Sequence, residues 1–476
     1  MLRVHGDMEV KKKLVALGRA DVAIIGAGVV GCALARRLTL DGASVIVLEK
    51  AADVLDGASK GNSAILHTGF DAPSGSLEQD CIAQGYKEYL ETCETLGLPV
   101  LRSGALVLAW SQEQLDELPK LIEKAHKNGV TDVSALTKSQ IVKREPYLSN
   151  NVVGGFEVPG EFLIDPWASA HAYLLQAMAN GAVLYRDTEV VAGQYDGQQW
   201  RLETNAGSVC AAQVINCAGL YGDIVEQRLI GECPFTVTPR KGQFVVFDKS
   251  AAALASSIIL PVPTKTTKGI VVCRTIFGNL LVGPTAENQE SRTDSSTDSD
   301  MLAHLRDKGI EMIPNLEECE VTAAYAGLRP ATEFQDYQIR RIEGKNYTCV
   351  GGIRSTGLSA ALGIARHVAG LIAPDEFSFQ AIEDPIIPAP DRLSNYHPRD
   401  WEEPDNGGIV CHCELVTRRE IEQVLNGPLP PSTLQGLKRR TRVCMGRCQG
   451  FYCTGELVKL TAGRFNLPMG LGHDDQ

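Results

Sequence analysis

The chain has no basic excess, no hydrophobic run of membrane-spanning length and no apolar leader. Its 46 Lys and Arg stand against 58 Asp and Glu, a net charge of −12, and the pI is near 5.4. That balance excludes non-specific nucleic-acid binding, which needs a basic face. The longest apolar segment, Val22 to Ala35, is broken by Gly26, Gly28 and Gly31, and it falls short of the roughly 20 apolar residues a membrane helix requires. The first 20 residues carry Lys11 to Lys13 but also Asp7 and Glu9. Without an adequate apolar stretch, residues 1–20 read as an N-terminal extension and not as a signal peptide. A cytoplasmic protein is expected, with any membrane association peripheral and made through a partner. At 476 residues the chain exceeds one ordinary core, so two or three domains are expected.

What is present begins with a nucleotide unit. Asp21 to Ile25 is a short apolar run, followed by Gly26-Ala-Gly28-Val-Val-Gly31, a stretch from Cys32 to Leu40 with helical spacing, and a second run from Ser44 to Leu48 ending at Glu49. Gly26 permits the tight turn, Gly28 lets backbone approach a pyrophosphate, and Gly31 lets helix and strand pack closely. Glu49 follows Gly31 by 18 residues, where a carboxylate can accept hydrogen bonds from ribose hydroxyls. A second Gly-x-Gly-x-x-Gly is missing, which argues against a separate NAD(P)H domain.

Two later turns favour a flavin. Val214 to Gly219 is a strand running into small residues at Ala218 and Gly219, and Gly351 to Gly357 joins the apolar Tyr347–Val350 to a helix rich in alanine. A glycine-rich turn into a helix aims free N–H groups and a positive dipole end at whatever lies in front, which suits a ring that gains negative charge on reduction. The alternative is that both are simply tight strand-to-helix connections. Ser111 is expected to open a helix with Leu115, Leu118, Leu121, Ile122 and Ala125 on one face, and Phe244–Phe247 and Leu280–Val282 read as strands. Thr285 to Asp300 reads as a solvated loop.

Five of the 14 cysteines fall in the last 70 residues, at Cys411, Cys413, Cys444, Cys448 and Cys453. Four thiolates in two close pairs are the ligand set of an iron–sulfur cluster. Zinc is the rival, although a Cys-x-Cys start is less usual for it, and reduced free thiols are the plain alternative. Thr417 and Glu420 form a capping box that would start a helix after the first pair.

Residues 409–460, through "VCHCELVTRREIEQVL" and "LKRRTRVCMGRCQGFYC", resemble the bacterioferritin-associated ferredoxin-like domain fused to anaerobic glycerol-3-phosphate dehydrogenases and some amine dehydrogenases. The resemblance implies a [2Fe-2S] cluster on Cys411, Cys413, Cys448 and Cys453, with Cys444 an extra thiol able to exchange with Cys453. Upstream, "DVAIIGAGVVGCALARRL", "SKGNSAILHTGF", "VINCAG", "PRKGQFVVF", "GNLLVGPTAE", "AGLRPA" and "GGIRSTGLSAALGIA" resemble the D-amino-acid-oxidase superfamily of FAD enzymes, in the branch of glycerol-3-phosphate and L-2-hydroxyglutarate dehydrogenases. The fold so implied is mixed α/β and α+β. A Rossmann-like FAD-binding domain (residues 21–95, 160–232 and 325–378) carries an inserted sheet-based substrate domain (96–159 and 233–324). A linker (379–408) and a small helical cluster domain (409–476) follow. FAD contacts are implied at Gly26, Gly28, Gly31, Glu49, Lys50, Ser59, Asn62, Ser63, Ala218, Gly219, Gly352, Ser355, Thr356, Gly357 and Leu358.

A flavin dehydrogenase needs a group to take the hydroxyl proton and charge partners for an anionic substrate. Arg329 and Arg354 sit in apolar, glycine-bearing sequence, where a guanidinium must find an anion. The resemblance puts Arg329 at a substrate anion and Arg354 near the flavin edge, and an internal salt bridge is the alternative for each. His67 is the candidate base or else a structural histidine, and Lys241 and Lys268 are further candidates. Glycerol-3-phosphate enzymes have an Arg-Tyr pair after the histidine loop, whereas this chain has Phe70-Asp71-Ala72. A carboxylate there would repel a dianion, so glycerol 3-phosphate stands beside 2-hydroxy acids and amines as substrate. Electrons would leave through the cluster to an accepting subunit or a quinone-linked carrier in an oligomeric assembly. A non-catalytic electron-transfer subunit is the competing class.

Overall fold

The computed structural model describes residues 15–263, 269–372, 379–389 and 398–469. An eight-stranded sheet is built on Ala16–Ile25, whose last residues are buried on both faces. Val45–Leu48 flanks it on one side and Ser208–Asn216 on the other, both parallel. Val183–Tyr185 extends the first side, and Tyr347–Gly351 pairs parallel with the end of Ser208–Asn216. These strands are continuous apolar runs, as expected where helices cover both faces. Residues 16–20 therefore belong to the first strand and not to an extension, while residues 1–14 lie outside the described residues.

Helices Val29–Leu40, Leu77–Thr92, Ala168–Ala179 and Gly357–Ile372 share one apolar core under this sheet. The second and fourth cross at backbone contact. A Cβ on Gly85 would stand 2.3 Å from the Ser359 carbonyl oxygen, and one on Gly363 would stand 2.0 Å from that of Cys81.

The second sheet has nine strands and is mostly antiparallel. Its spine is Thr238–Phe247, paired along its whole length with Val321–Ala331 and, on the other side, with Leu280–Gly283. Val321–Ala331 thus belongs to this sheet, and the expected domain boundary at residue 325 moves to the end of that strand. The helix Gln112–Lys127 starts where the sequence indicates, with Ser111 Oγ accepting from Gln114 N–H, and buries Leu118 and Ala125 against this sheet.

The C-terminal module is a two-stranded hairpin, Ile409–Cys411 with Val416–Thr417, and three short helices, Arg418–Asn426, Leu434–Thr441 and Thr454–Leu460. Both halves of the Thr417/Glu420 capping box are made. Residues 398–408 of the expected linker pack with this module. Arg399 pairs with Glu420, and Asp400 takes hydrogen bonds from Thr417 and Arg419. Residues 373–378 and 390–397 lie outside the described residues.

Candidate active site and thiol module

A cavity of about 1010 Å³ opens between the two sheets. Its floor is the turn after the first strand. Gly26 has φ +104°, and a Cβ there would meet the Cys217 carbonyl oxygen at 2.6 Å. Gly31 sits behind the cavity wall, where a Cβ would lie 2.0 Å from the Gly26 carbonyl oxygen. The helix Val29–Leu40 opens at Gly28, which has no side chain of its own to cap it, and Gly28, Val29 and Val30 line the cavity, so the positive end of its dipole lies at the cavity wall. Ser59 Oγ accepts from Val29 N–H at 3.0 Å. The Glu49 carboxylate accepts from Ala27 N–H at 2.7 Å and Ala51 N–H at 2.8 Å. Burial raises its pKa, and those two N–H groups oppose the rise.

Lys50, Ser59, Asn62, Ser63, Ala218, Gly219, Ser355, Gly357 and Leu358 all line the cavity. Lys50 Nζ stands 3.1 Å over the Tyr221 ring, and Asn62 Oδ1 accepts from Ala64 N–H. Gly352 and Thr356 do not line it. Gly352 makes a left-handed turn against Gln338, and the buried Thr356 hydroxyl donates to Glu78. The expected solvated loop is in part a wall, since Thr285, Arg292, Thr293 and Ser295 reach the cavity and Arg292 forms a bidentate pair with Asp223.

The candidate chemical groups face the same space. Arg329 Nη2 donates to the Thr285 carbonyl at 2.8 Å, and no acidic side chain pairs with it among the described residues. It lies deep among protein atoms while still presenting surface to the cavity. Burial, with Arg240 beside it, pulls its pKa down to about 10. Arg354, by contrast, is paired with Glu78 at 3.1 Å, the internal salt bridge that stood as its alternative. Lys241 pairs with Asp294 and does not line the cavity, and Lys268 lies outside the described residues. Lys124 Nζ donates to the Asp71 carbonyl at 2.8 Å, and Asn128 donates to the carbonyls of Gly69, Phe70 and Ala72, so the Phe70–Ala72 loop is pinned from behind.

His67 lines the cavity with its Nδ1 2.8 Å from Glu161 Oε2. Sequence reasoning missed Glu161. Pro159-Gly160-Glu161 reads as an exposed turn, yet the carboxylate is fully buried. The only signal was register: Leu66 pairs with Phe162 in antiparallel strands, which sets residues 67 and 161 opposite each other one step further on.

In the module, Cys411, Cys444 and Cys453 are buried and Cys413 and Cys448 half-buried. Sγ of Cys444 lies 3.4 Å from Sγ of Cys453, so the thiol set aside as extra stands inside the group. The Cys413 and Cys448 thiols are neighbours, each altering the other's pKa. The backbone N–H of Tyr452 leads the groups that lower the Cys448 pKa, whereas burial pushes Cys453 up to about 11. Among the described residues no three His, Cys, Asp or Glu side chains converge as a ready site for a metal ion.

The module sits against both domains. Arg440 makes two hydrogen bonds to Asp53, at 2.8 and 3.1 Å, with both side chains buried. Arg439 reaches Asp56 and the Val54 carbonyl, Arg442 lies 3.8 Å over the Phe277 ring, and Arg447 pairs with Asp248. Asp53 belongs to the segment that links Glu49 to Ser59 on the cavity floor.

A dinucleotide turn at the end of the parallel strands of one sheet, facing a cavity walled by a second sheet, is the arrangement of a dinucleotide-binding enzyme of two interleaved domains. The family model described as FAD dependent oxidoreductase matches residues 21–371, and the chain belongs to that family. A glycerol 3-phosphate dehydrogenase from Caloramator mitchellensis is 33% identical over 457 residues, covering 94% of this chain and 95% of the relative. A glycerol 3-phosphate oxidase from Mycoplasma pneumoniae is 30% identical over 362 residues, covering 74% and 94%. The solved structure of dithionite-reduced L-α-glycerophosphate oxidase from Mycoplasma pneumoniae with FAD bound is similar at TM-score 0.71 and 28% identity, over 78% of this chain and 100% of that one. FAD fits the site: the helix end at Gly28 suits a pyrophosphate and the Glu49 carboxylate suits a ribose. No helix among the described residues is long and apolar enough to cross a membrane.

Proposed function

We propose that the chain is an FAD-dependent dehydrogenase of a small anionic hydroxy compound, glycerol 3-phosphate first, and that the C-terminal module carries a [2Fe-2S] cluster through which electrons leave. The observation that carries the substrate reading is Arg329, a deep guanidinium on the cavity wall with a single carbonyl partner among the described residues and no carboxylate. A buried cation left in that state gains from an anionic ligand. FAD supplies a two-electron acceptor when bound, and the cluster a one-electron carrier. Arg329 holds the anion, and His67 receives the hydroxyl proton at Nε2. Arg354 is neutralised by Glu78 and keeps the flavin-side turn in place.

The thiols fit a two-iron cluster better than a single ion. Such a cluster is held by two pairs of thiolates, one pair per iron, so the pairs need not converge on one point. Cys413 with Cys448 is one close pair, and Cys411 lies by Cys444 and Cys453. The relative named a dehydrogenase matches 94% of this chain, whereas the oxidase leaves about a quarter unmatched. That difference supports a dehydrogenase over an oxidase, because a one-electron carrier on the same chain is superfluous if reduced flavin reacts directly with oxygen.

The test is anaerobic flavin bleaching by glycerol 3-phosphate, L-2-hydroxyglutarate, glycerol and glycine, followed by reoxidation in air or with a one-electron dye. Bleaching by glycerol 3-phosphate, slow return in air and fast return with dye are expected. No bleaching by any compound would favour an electron-transfer subunit, and peroxide release matching turnover would make the chain an oxidase.

A further inference from the structure

The Glu161–His67 pair is absent from every sequence signal used above, and its geometry is complete. Glu161 is fully buried, and both carboxylate oxygens are engaged. Oε1 accepts from the Thr68 backbone N–H at 2.6 Å and the Thr68 hydroxyl at 2.8 Å, and Oε2 faces His67 Nδ1 at 2.8 Å. The backbone around the ring is locked as well. His67 N–H donates to Ser359 Oγ, which in turn donates to the Ile65 carbonyl, and the strand pair Ile65–Leu66 with Phe162–Ile164 sets the spacing. Tyr86, whose hydroxyl donates to the Gly160 carbonyl, closes the far side of the turn and has its pKa pushed up to about 12, chiefly by burial. His67 Nε2 makes no hydrogen bond to any described residue, and the ring lines the cavity.

We propose that Glu161 is a positioning residue that holds the His67 imidazole in the tautomer protonated at Nδ1, leaving the Nε2 lone pair facing the cavity to accept a substrate hydroxyl proton. An ionised carboxylate only accepts hydrogen bonds, so an Nδ1 bonded to it must carry the hydrogen, and a neutral ring then has its lone pair on Nε2. The Thr68 N–H and hydroxyl both occupy Oε1, so Oε2 is the oxygen left to meet the ring. The same charge offsets the imidazolium formed when Nε2 takes the proton. This deepens the proposed role of His67 and rests on it.

Glu161→Gln separates positioning from folding because the amide keeps the shape. Its oxygen can still serve both Thr68 donors, so its NH₂ turns to His67 Nδ1, which becomes the acceptor and moves the ring hydrogen to Nε2. ¹⁵N-histidine NMR of the FAD-loaded protein, with the His67 signals identified by their loss in His67→Asn, reads the tautomer directly. Wild type should show Nδ1–H and Glu161→Gln should show Nε2–H. Substrate-driven flavin reduction should fall about 10²-fold to 10⁴-fold in Glu161→Gln, with KM changed by less than about threefold. An Nε2–H tautomer in wild type overturns the proposal without any variant. So does a Glu161→Gln protein with unchanged rate while His67→Asn is inactive. A His67→Asn protein that still reduces flavin rapidly defeats the base assignment itself, and the NMR signals then report on the positioning alone.

Discussion

Arg329 and Cys444 illustrate two ways in which single residues carry weight. Arg329→Ala should lower kcat/KM for an anionic substrate by well over tenfold, because losing a desolvated charge-assisted contact costs about 2 to 5 kcal/mol, while FAD content stays unchanged. Equal kinetics on glycerol 3-phosphate would make the arginine structural. Cys444 and Cys453 share one corner of the module with their sulfurs 3.4 Å apart, so each can replace the other as ligand. Cys444→Ser and Cys453→Ser should each retain iron with an altered visible spectrum, and the double variant should lose it, as should Cys411→Ser, Cys413→Ser or Cys448→Ser alone. Iron analysis and the reduced-state paramagnetic signal check this, and an untouched spectrum in Cys444→Ser would return that thiol to a bystander. At this scale the sequence discloses residues whose chemistry is odd for their surroundings. Arg329 stands out in Gly-Leu-Arg-Pro, but Glu161 does not, because a carboxylate after Pro-Gly looks solvated until its partner 94 positions away is folded against it.

Secondary-structure elements were legible where the signal is local. The strand–turn–helix of residues 21–40, the Ser111 cap and the Thr417 box depend on neighbours within a few positions, and all three form. The strand Val321–Ala331 is split by the expected boundary at 325 because its membership is decided by pairing with Thr238–Phe247, some 80 residues earlier, which no local pattern records. The crossing of Leu77–Thr92 and Gly357–Ile372 is of the same non-local kind. Gly363→Leu would drive side-chain atoms into the Cys81 carbonyl region, where a Cβ already stands at 2.0 Å. Overpacking against backbone that cannot retreat should cost at least the usual 1 to 3 kcal/mol or so. A urea melt followed by tryptophan fluorescence should show a lower midpoint with unchanged slope, and an unshifted midpoint would mean that the helices can separate freely.

Across the whole molecule the governing contact is Asp53 with Arg440, where the module meets the first domain. Buried arginines tie the module to its own chain. Breaking one side of a buried pair usually costs about 3 to 5 kcal/mol, whereas replacing both partners by apolar residues is often near neutral. Arg440→Met alone should therefore lower the thermal midpoint and split it into two transitions, and Asp53→Leu with Arg440→Met should recover much of the loss. Flavin reduction by substrate should survive in the single variant while transfer to a protein acceptor slows. A single unsplit transition at the wild-type temperature would mean the pair contributes little to docking.

Asp53 also sets a condition on evolutionary or engineered truncation. A chain without the module would uncover this carboxylate and leave it Arg186, 3.8 Å away, as its cationic neighbour. Position 53 is then released from the constraint that Arg440 places on it, and an aspartate there has no further need of a module partner.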